Sequence, residues 1–125
     1  MNIQMFSKCV GVTPYTIRYY EKVGLLKVYR KKNGHRDFSE NDIRWMEFIL
    51  RLKVTGMPLS QIQQYARLRE QGNSTLKARR SMLILHQKEL SQRLDELQQN
   101  AALLAEKINF YDDEIRHLSI EKDNA

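Results

Sequence analysis

The chain has 125 residues, enough for one small domain or a small domain carrying a long helical appendage. Mean hydropathy is −0.61, and no apolar run nears the roughly 20 residues that a bilayer span requires; no charged-then-apolar leader opens the sequence, so neither a membrane nor export is expected. The net charge of +6 is uneven: residues 1–72 hold 13 Lys and Arg against 6 Asp and Glu, and residues 73–125 hold 8 against 9, which suits a polyanion partner for the first part and a protein partner for the second.

In chain order, Asn2 can cap a short helix over 3–10, with Phe6 and Val10 on one face. Gly11 and Val12 break it. Thr13 then stands as an N-cap before Pro14 at the first helical position, starting a helix that runs to about Lys22 and buries Ile17 and Tyr20. Two short helices joined by a turn containing glycine form a helix-turn-helix, and the second helix leaves Tyr15, Thr16, Arg18 and Tyr19 to point outward. Two strand-like runs follow, 25–32 and 35–38, around Asn33-Gly34, a pair that signals a tight hairpin with positive φ at both turn residues. Lys27, Arg30, Lys31, Lys32 and Arg36 make this hairpin basic, as expected of a wing beside a recognition helix.

Ser39 caps a helix to about Val54, with Asp42 three residues on as an imperfect capping box, and Ile43, Met46, Ile49 and Leu50 recur at helical spacing with Trp45 and Phe48 adding bulk. Pro58 opens a further helix over 59–68 with Leu59, Ile62, Tyr65 and Ala66 as its apolar stripe. Residues 70–73 read as a linker and Ser74 or Thr75 as the cap of the last helix. Along that helix Leu76, Leu83, Leu90, Leu97, Leu104, Tyr111 and Leu118 fall seven residues apart. Arg80, Gln87, Leu94, Ala101, Ile108 and Ile115 come four residues after the first six. A stripe with no partner in its own chain implies a homodimer, whose seam tightens from Leu90 through Leu94, Leu97, Ala101, Leu104, Ile108, Tyr111 and Ile115. The expected domains are 1–72, a winged helix-turn-helix, and 73–125, a dimerisation helix with a short polar tail.

Enzymatic chemistry is not expected. There is no glycine-rich phosphate loop and no set of Cys or His at metal-ligand spacing, so neither metal nor cofactor is anticipated. His35 sits in the basic hairpin, where phosphate contact is the natural role, while His86 and His117 read as solvent-facing positions of the long helix. The single Cys9 cannot form an intramolecular disulfide, which fits a reducing cytoplasm, and it reads as a small, partly buried hydrophobe rather than a sensor. Asp112, Asp113 and Glu114 read as a solvated acidic patch.

The run from Thr13 to Leu26, TPYTIRYYEKVGLL, followed by Arg30, the Asn33-Gly34-His35-Arg36-Asp37-Phe38 hairpin and Asp42-Ile43, closely resembles the MerR family of transcriptional regulators, and the likeness extends over the whole chain. It implies a mostly α fold: a winged helix-turn-helix, two connecting helices serving as a second wing, and a long antiparallel coiled-coil dimerisation helix. It also implies a dimer that binds an inverted repeat in double-stranded promoter DNA with an overlong spacer, and that distorts the duplex so RNA polymerase can engage both promoter elements, a form of indirect readout. By position, the resemblance puts Thr16, Arg18 and Tyr19 at the major groove and its phosphates. It puts His35 and Arg36 on the backbone through the wing, and Lys53 with the helix start at Pro58 at the second wing.

Residues 43–49 resemble the aldehyde- and electrophile-responsive subgroup, but Arg51 occupies the position of its reactive cysteine, and the paired cysteines of metal-sensing members have no counterpart near the end of the long helix. The chain also stops at Ala125 without the large effector domain of the multidrug-binding members. Two other readings exist: an architectural, excisionase-like winged helix without promoter activity, against which the heptad helix argues, and a structural coiled-coil adaptor, which leaves the basic hairpin unexplained.

Overall fold

The computed structural model describes residues 1–124, with side chains described to residue 122; Ala125, the end of the expected polar tail, lies outside the described residues. Five α-helices follow in order: α1 (Ile3–Val10), α2 (Pro14–Lys22), α3 (Glu40–Val54), α4 (Leu59–Glu70) and α5 (Leu76–Asn124), with a 3₁₀ turn at Gly72–Thr75. Three caps expected from the sequence form, at Asn2, Thr13 and Ser39. Asn2 Oδ1 accepts from Met5 N at 2.9 Å, and Thr13 Oγ1 accepts from Thr16 N at 3.2 Å ahead of Pro14. Ser39 and Asp42 bond reciprocally as a full capping box, Asp42 replacing the more usual Glu without loss of either bond. Gly11 ends α1 in the left-handed region at φ 75°, and its N–H reaches Ser7 O at 2.9 Å, which makes the sharp turn into α2.

Met1–His86 form one compact unit and Gln87–Ala125 a second. In the first unit, Phe6 of α1, Ile17 of α2, and Met46 and Ile49 of α3 are fully buried. Phe6 stacks on Phe38 with centroids 4.1 Å apart, and Trp45 stacks on Tyr65 at 5.9 Å, so one core holds α1–α4 and the base of the hairpin. Met82 and Leu83 of α5 pack on that core from the side. Gln87–Ala125, taken by itself, is helix through Asn124, and all its described side chains are exposed, including Leu97 at 65% and Leu104 at 66%. No helix among the described residues is long and apolar enough to cross a membrane.

Several sequence expectations change. His86 does not face solvent: it is 8% exposed, and its Nε2 lies 2.7 Å from Thr55 Oγ1. The Thr55 hydroxyl also lies within hydrogen-bond distance of the carbonyls of Arg51 and Leu52, at 2.9 and 3.1 Å. Cys9 is exposed rather than partly buried, because the arc Ile3–Phe6–Val10 takes the inward face of α1. Leu59, in the first turn of α4, is 41% exposed, and the buried stripe of that helix is Ile62, Tyr65 and Ala66. Residues 70–73 are not a free linker, and Thr75 is not a cap: its buried hydroxyl donates to Leu68 O and Gly72 O, and Arg79 Nε donates to it at 3.0 Å. Leu68 O, which also accepts from Gln71 N, is thereby tied to the start of α5. The compact N-terminal unit thus takes in the first turns of α5, beyond the expected boundary at residue 72.

Truncating the fully buried ring at the centre of this core should cost about 3–5 kcal/mol. Phe6→Ala is therefore expected to shift the urea midpoint strongly with little change in the slope of the transition, and a shift no larger than that of a surface substitution would contradict the core assignment.

Candidate nucleic-acid interface

Helix α2 has only nine residues, too few to be stable alone, so its direction is set by Ile17 and Tyr20 inside the core. The opposite side carries Tyr15, 79% exposed, with Arg18 and Tyr19 also exposed. Thr16 is only half exposed, its hydroxyl 3.0 Å from that of Thr13, so it belongs as much to the cap as to the open face.

The hairpin forms, though with a different turn. Lys31 N donates to His35 O and Asp37 N to Tyr29 O, each at 2.8 Å, around an isolated bridge between Arg30 and Arg36. The loop is Lys32-Asn33-Gly34, closed by Gly34 N to Lys31 O at 2.9 Å. Gly34 has φ 84°, and among the described residues no non-glycine has positive φ, so Asn33 is not left-handed as a two-residue turn would require. A three-residue loop with a glycine bulge needs only one left-handed residue, and Asn33 Oδ1 instead accepts from His35 N at 3.0 Å. The base is tied down by Trp45 Nε1 donating to Leu25 O at 2.8 Å and by Phe38 N donating to Met1 O at 2.8 Å. The Met1 amino group also donates to Asp37 Oδ1 at 2.9 Å, and that hydrogen bond holds the Asp37 carboxyl below its ordinary range.

Between α1, α2 and the wing lies a groove of about 410 Å³ lined by Arg18, Arg30, His35 and Arg36 with Asn2 and Gln4 at the start of α1. None of its lining residues among those described is acidic. Arg36 is not free at the wing edge. Its Nε and Nη2 donate to Glu21 Oε1 at 3.1 and 3.0 Å, and Arg30 Nη2 donates to the same oxygen at 3.1 Å while its Nη1 reaches Gly34 O at 3.0 Å. Arg30 keeps 45% of its side chain exposed against 25% for Arg36. Glu21 escaped the sequence reading, although a signal was present: it is the one carboxylate of residues 1–36, among eight Lys and Arg.

Lys53 is exposed at the end of α3, and its ammonium donates to Tyr20 Oη at 3.1 Å. At 5.5 Å from the ring centre it sits beyond the hydroxyl, so the contact is a hydrogen bond rather than a cation over the ring face. Next to it α4 starts at Pro58 without a side-chain cap, leaving its first N–H groups open. The structure thus gathers Tyr15, Arg18, Tyr19, Arg30, His35 and Arg36 on the recognition helix and wing, and sets Lys53 beside Tyr20. The residues expected to form a dimer seam, Leu90, Leu94, Leu97, Ala101, Leu104, Ile108, Tyr111 and Ile115, are all exposed on α5. Among the described residues no group of three or more His, Cys, Asp or Glu is placed to hold a metal ion.

The family described as MerR HTH family regulatory protein matches residues 1–69, and that described as MerR, DNA binding matches residues 43–107. The HTH-type transcriptional regulator AdhR of Bacillus subtilis (strain 168) is 42% identical over 84 residues, which span 66% of this chain and 60% of that protein. A putative MerR family transcriptional regulator from Listeria monocytogenes superposes with a TM-score of 0.86 at 32% identity, covering 98% of each chain. HiNmlR, a MerR family regulator lacking the sensor domain and solved bound to promoter DNA, superposes with a TM-score of 0.80 at 32% identity over 90% of each chain.

The wing turn provides a test of its own. A Cβ at position 34 would meet nothing within 4 Å, so Gly34→Ala carries only the backbone cost of the left-handed conformation, about 1–2 kcal/mol. That loss is expected in chemical denaturation; no loss would mean that residue 34 does not hold positive φ in solution.

Proposed function

The chain belongs to the MerR family of HTH regulatory proteins, and from that premise we propose that it is a DNA-binding transcriptional regulator acting as a homodimer on duplex promoter DNA. The observation that carries this reading is the groove between recognition helix and wing, which gathers three arginines and a histidine without a lining carboxylate. Arginines in that density offer donors to phosphate; Glu21 brings one negative charge to Arg30 and Arg36, and three guanidiniums against one carboxylate leave the groove net positive. Tyr15, Thr16, Arg18 and Tyr19 enter the major groove. Arg30 and His35 set the wing on the backbone with Arg36 at its base, and Lys53 with the open start of α4 forms a second phosphate contact. HiNmlR, similar in fold and solved on promoter DNA, supports duplex DNA as the ligand.

The exposed seam of α5 from Leu90 to Ile115 closes by pairing with a second copy, antiparallel, with Ala101 or Leu104 near the two-fold axis. The dimer then addresses an inverted repeat across an overlong spacer. Its many backbone contacts offset the energy of bending and untwisting the duplex, which brings the two promoter elements into reach of RNA polymerase. It works in the cytoplasm, where that polymerase and its DNA are. The architectural reading without promoter activity separates from this one by in vitro transcription from a promoter of that spacing.

Two outcomes test the reading. Replacing Leu97 and Leu104 together by Glu should give monomers in sedimentation and remove operator binding; a variant that stayed dimeric would refute this use of α5. Arg18→Ala should weaken operator binding by about 1–3 kcal/mol, and relax preference at one base step if the guanidinium reads a base. Titration of operator and scrambled duplexes by fluorescence anisotropy measures both, and an unchanged operator affinity would remove Arg18 from the interface.

A further inference from the structure

Glu21 stands in the last turn of α2, at the negative end of the helix dipole, where a carboxylate is disfavoured. It is also the one acid in the most basic stretch of the chain. Something else must hold it there, and the contacts show what. A single oxygen, Oε1, accepts three N–H bonds from two guanidiniums that come from opposite arms of the hairpin, at separations of 9 and 15 residues. The same Arg30 that reaches Glu21 also closes on Gly34 O, at the glycine bulge of the wing. The carboxylate therefore joins the C-terminal end of the recognition helix to both arms and the tip of the wing.

We infer that Glu21 is a positioning residue for DNA recognition: it fixes the wing in register with the recognition helix by clamping Arg36 as a strut and aiming Arg30 outward. The inference rests on the DNA-binding function proposed above. Arg36, held by two bonds at its base, spends its charge on this strut, while the more exposed Arg30 keeps donor capacity for phosphate. The clamp has a second effect. One negative charge between two guanidiniums lowers the attraction of the wing for any polyanion, so it restrains non-specific binding while improving the fit to a site that demands both contacts at a fixed spacing.

The test uses the full chain, an operator selected from a random duplex library, and a scrambled duplex of the same length, titrated at several KCl concentrations. Glu21→Gln preserves size and removes the charge. It is expected to lower the operator-to-scrambled affinity ratio about tenfold, while binding to the scrambled duplex holds or tightens because net positive charge rises. Arg36→Ala should lower the ratio similarly, and the double variant should be no worse than either single one by more than about twofold, since both remove the same strut. A ratio within twofold of the parent for Glu21→Gln would overturn the inference, as would single effects that multiply in the double variant. Loss of binding to both duplexes together with a lower melting temperature would make Glu21 a fold-holding residue and overturn it too. If the parent chain itself bound neither duplex in a salt-dependent way, the DNA-binding reading would fail, a result distinct from all of these.

Discussion

The burial of Phe6, Ile17, Met46 and Ile49 in one cluster is the constraint on which the rest of the N-terminal unit depends. Neither α1, with eight residues, nor α2, with nine, could persist alone, so both take their direction from the side chains they drive into α3. The wing is drawn into the same cluster, because Phe38 stacks on Phe6 and the Trp45 indole holds the Leu25 carbonyl. A recognition helix and a hairpin that are each too small to be rigid thus become parts of one rigid frame. The polar contacts refine an arrangement that apolar burial has already imposed.

What was legible in the sequence was local. Asn2, Thr13-Pro14 and the Ser39/Asp42 box act within three residues of themselves, and all form as their spacing implies. The heptad repeat was legible because a period survives without knowledge of its partner. The hairpin was half legible: Gly34 supplies the left-handed residue, but whether one or two such residues are needed is settled by the register of the arms, which Asn-Gly does not encode. What escaped was long-range. Glu21 meets Arg36 across 15 residues, Lys53 meets Tyr20 across 33, and Thr55 meets His86 across 31. A helical wheel assigned His86 to solvent because the wheel of α5 contains no trace of the loop after α3 that covers it.

Charge also reads differently once the pairs are known. Eight cations against one acid over residues 1–36 suggest a uniform polyanion surface, yet two of those cations are tied to that one acid. Non-specific affinity grows with every free cation, whereas specificity grows with contacts that must be met together at fixed spacing. A basic surface stapled in this way favours the second over the first. The departure at Arg51 points in a related direction: where the electrophile-responsive subgroup has a thiol, this chain places a further cation at the end of α3, and its single cysteine lies exposed on α1.

The start of α4 shows how the frame extends beyond the hairpin. Pro58 brings no side-chain cap, so the open N–H groups of its first turn need an anion or water, and their usefulness depends on where the loop before them is held. That loop is gripped on two sides. Lys53 bonds to Tyr20, whose ring is buried on the same helix that carries Arg18. The Thr55 hydroxyl is hydrogen-bonded to carbonyls ending α3 and to the buried His86 of α5. The positive end of α4 is therefore placed with reference both to the recognition helix and to the first turns of the long helix. A displacement of either would move those open N–H groups along with it.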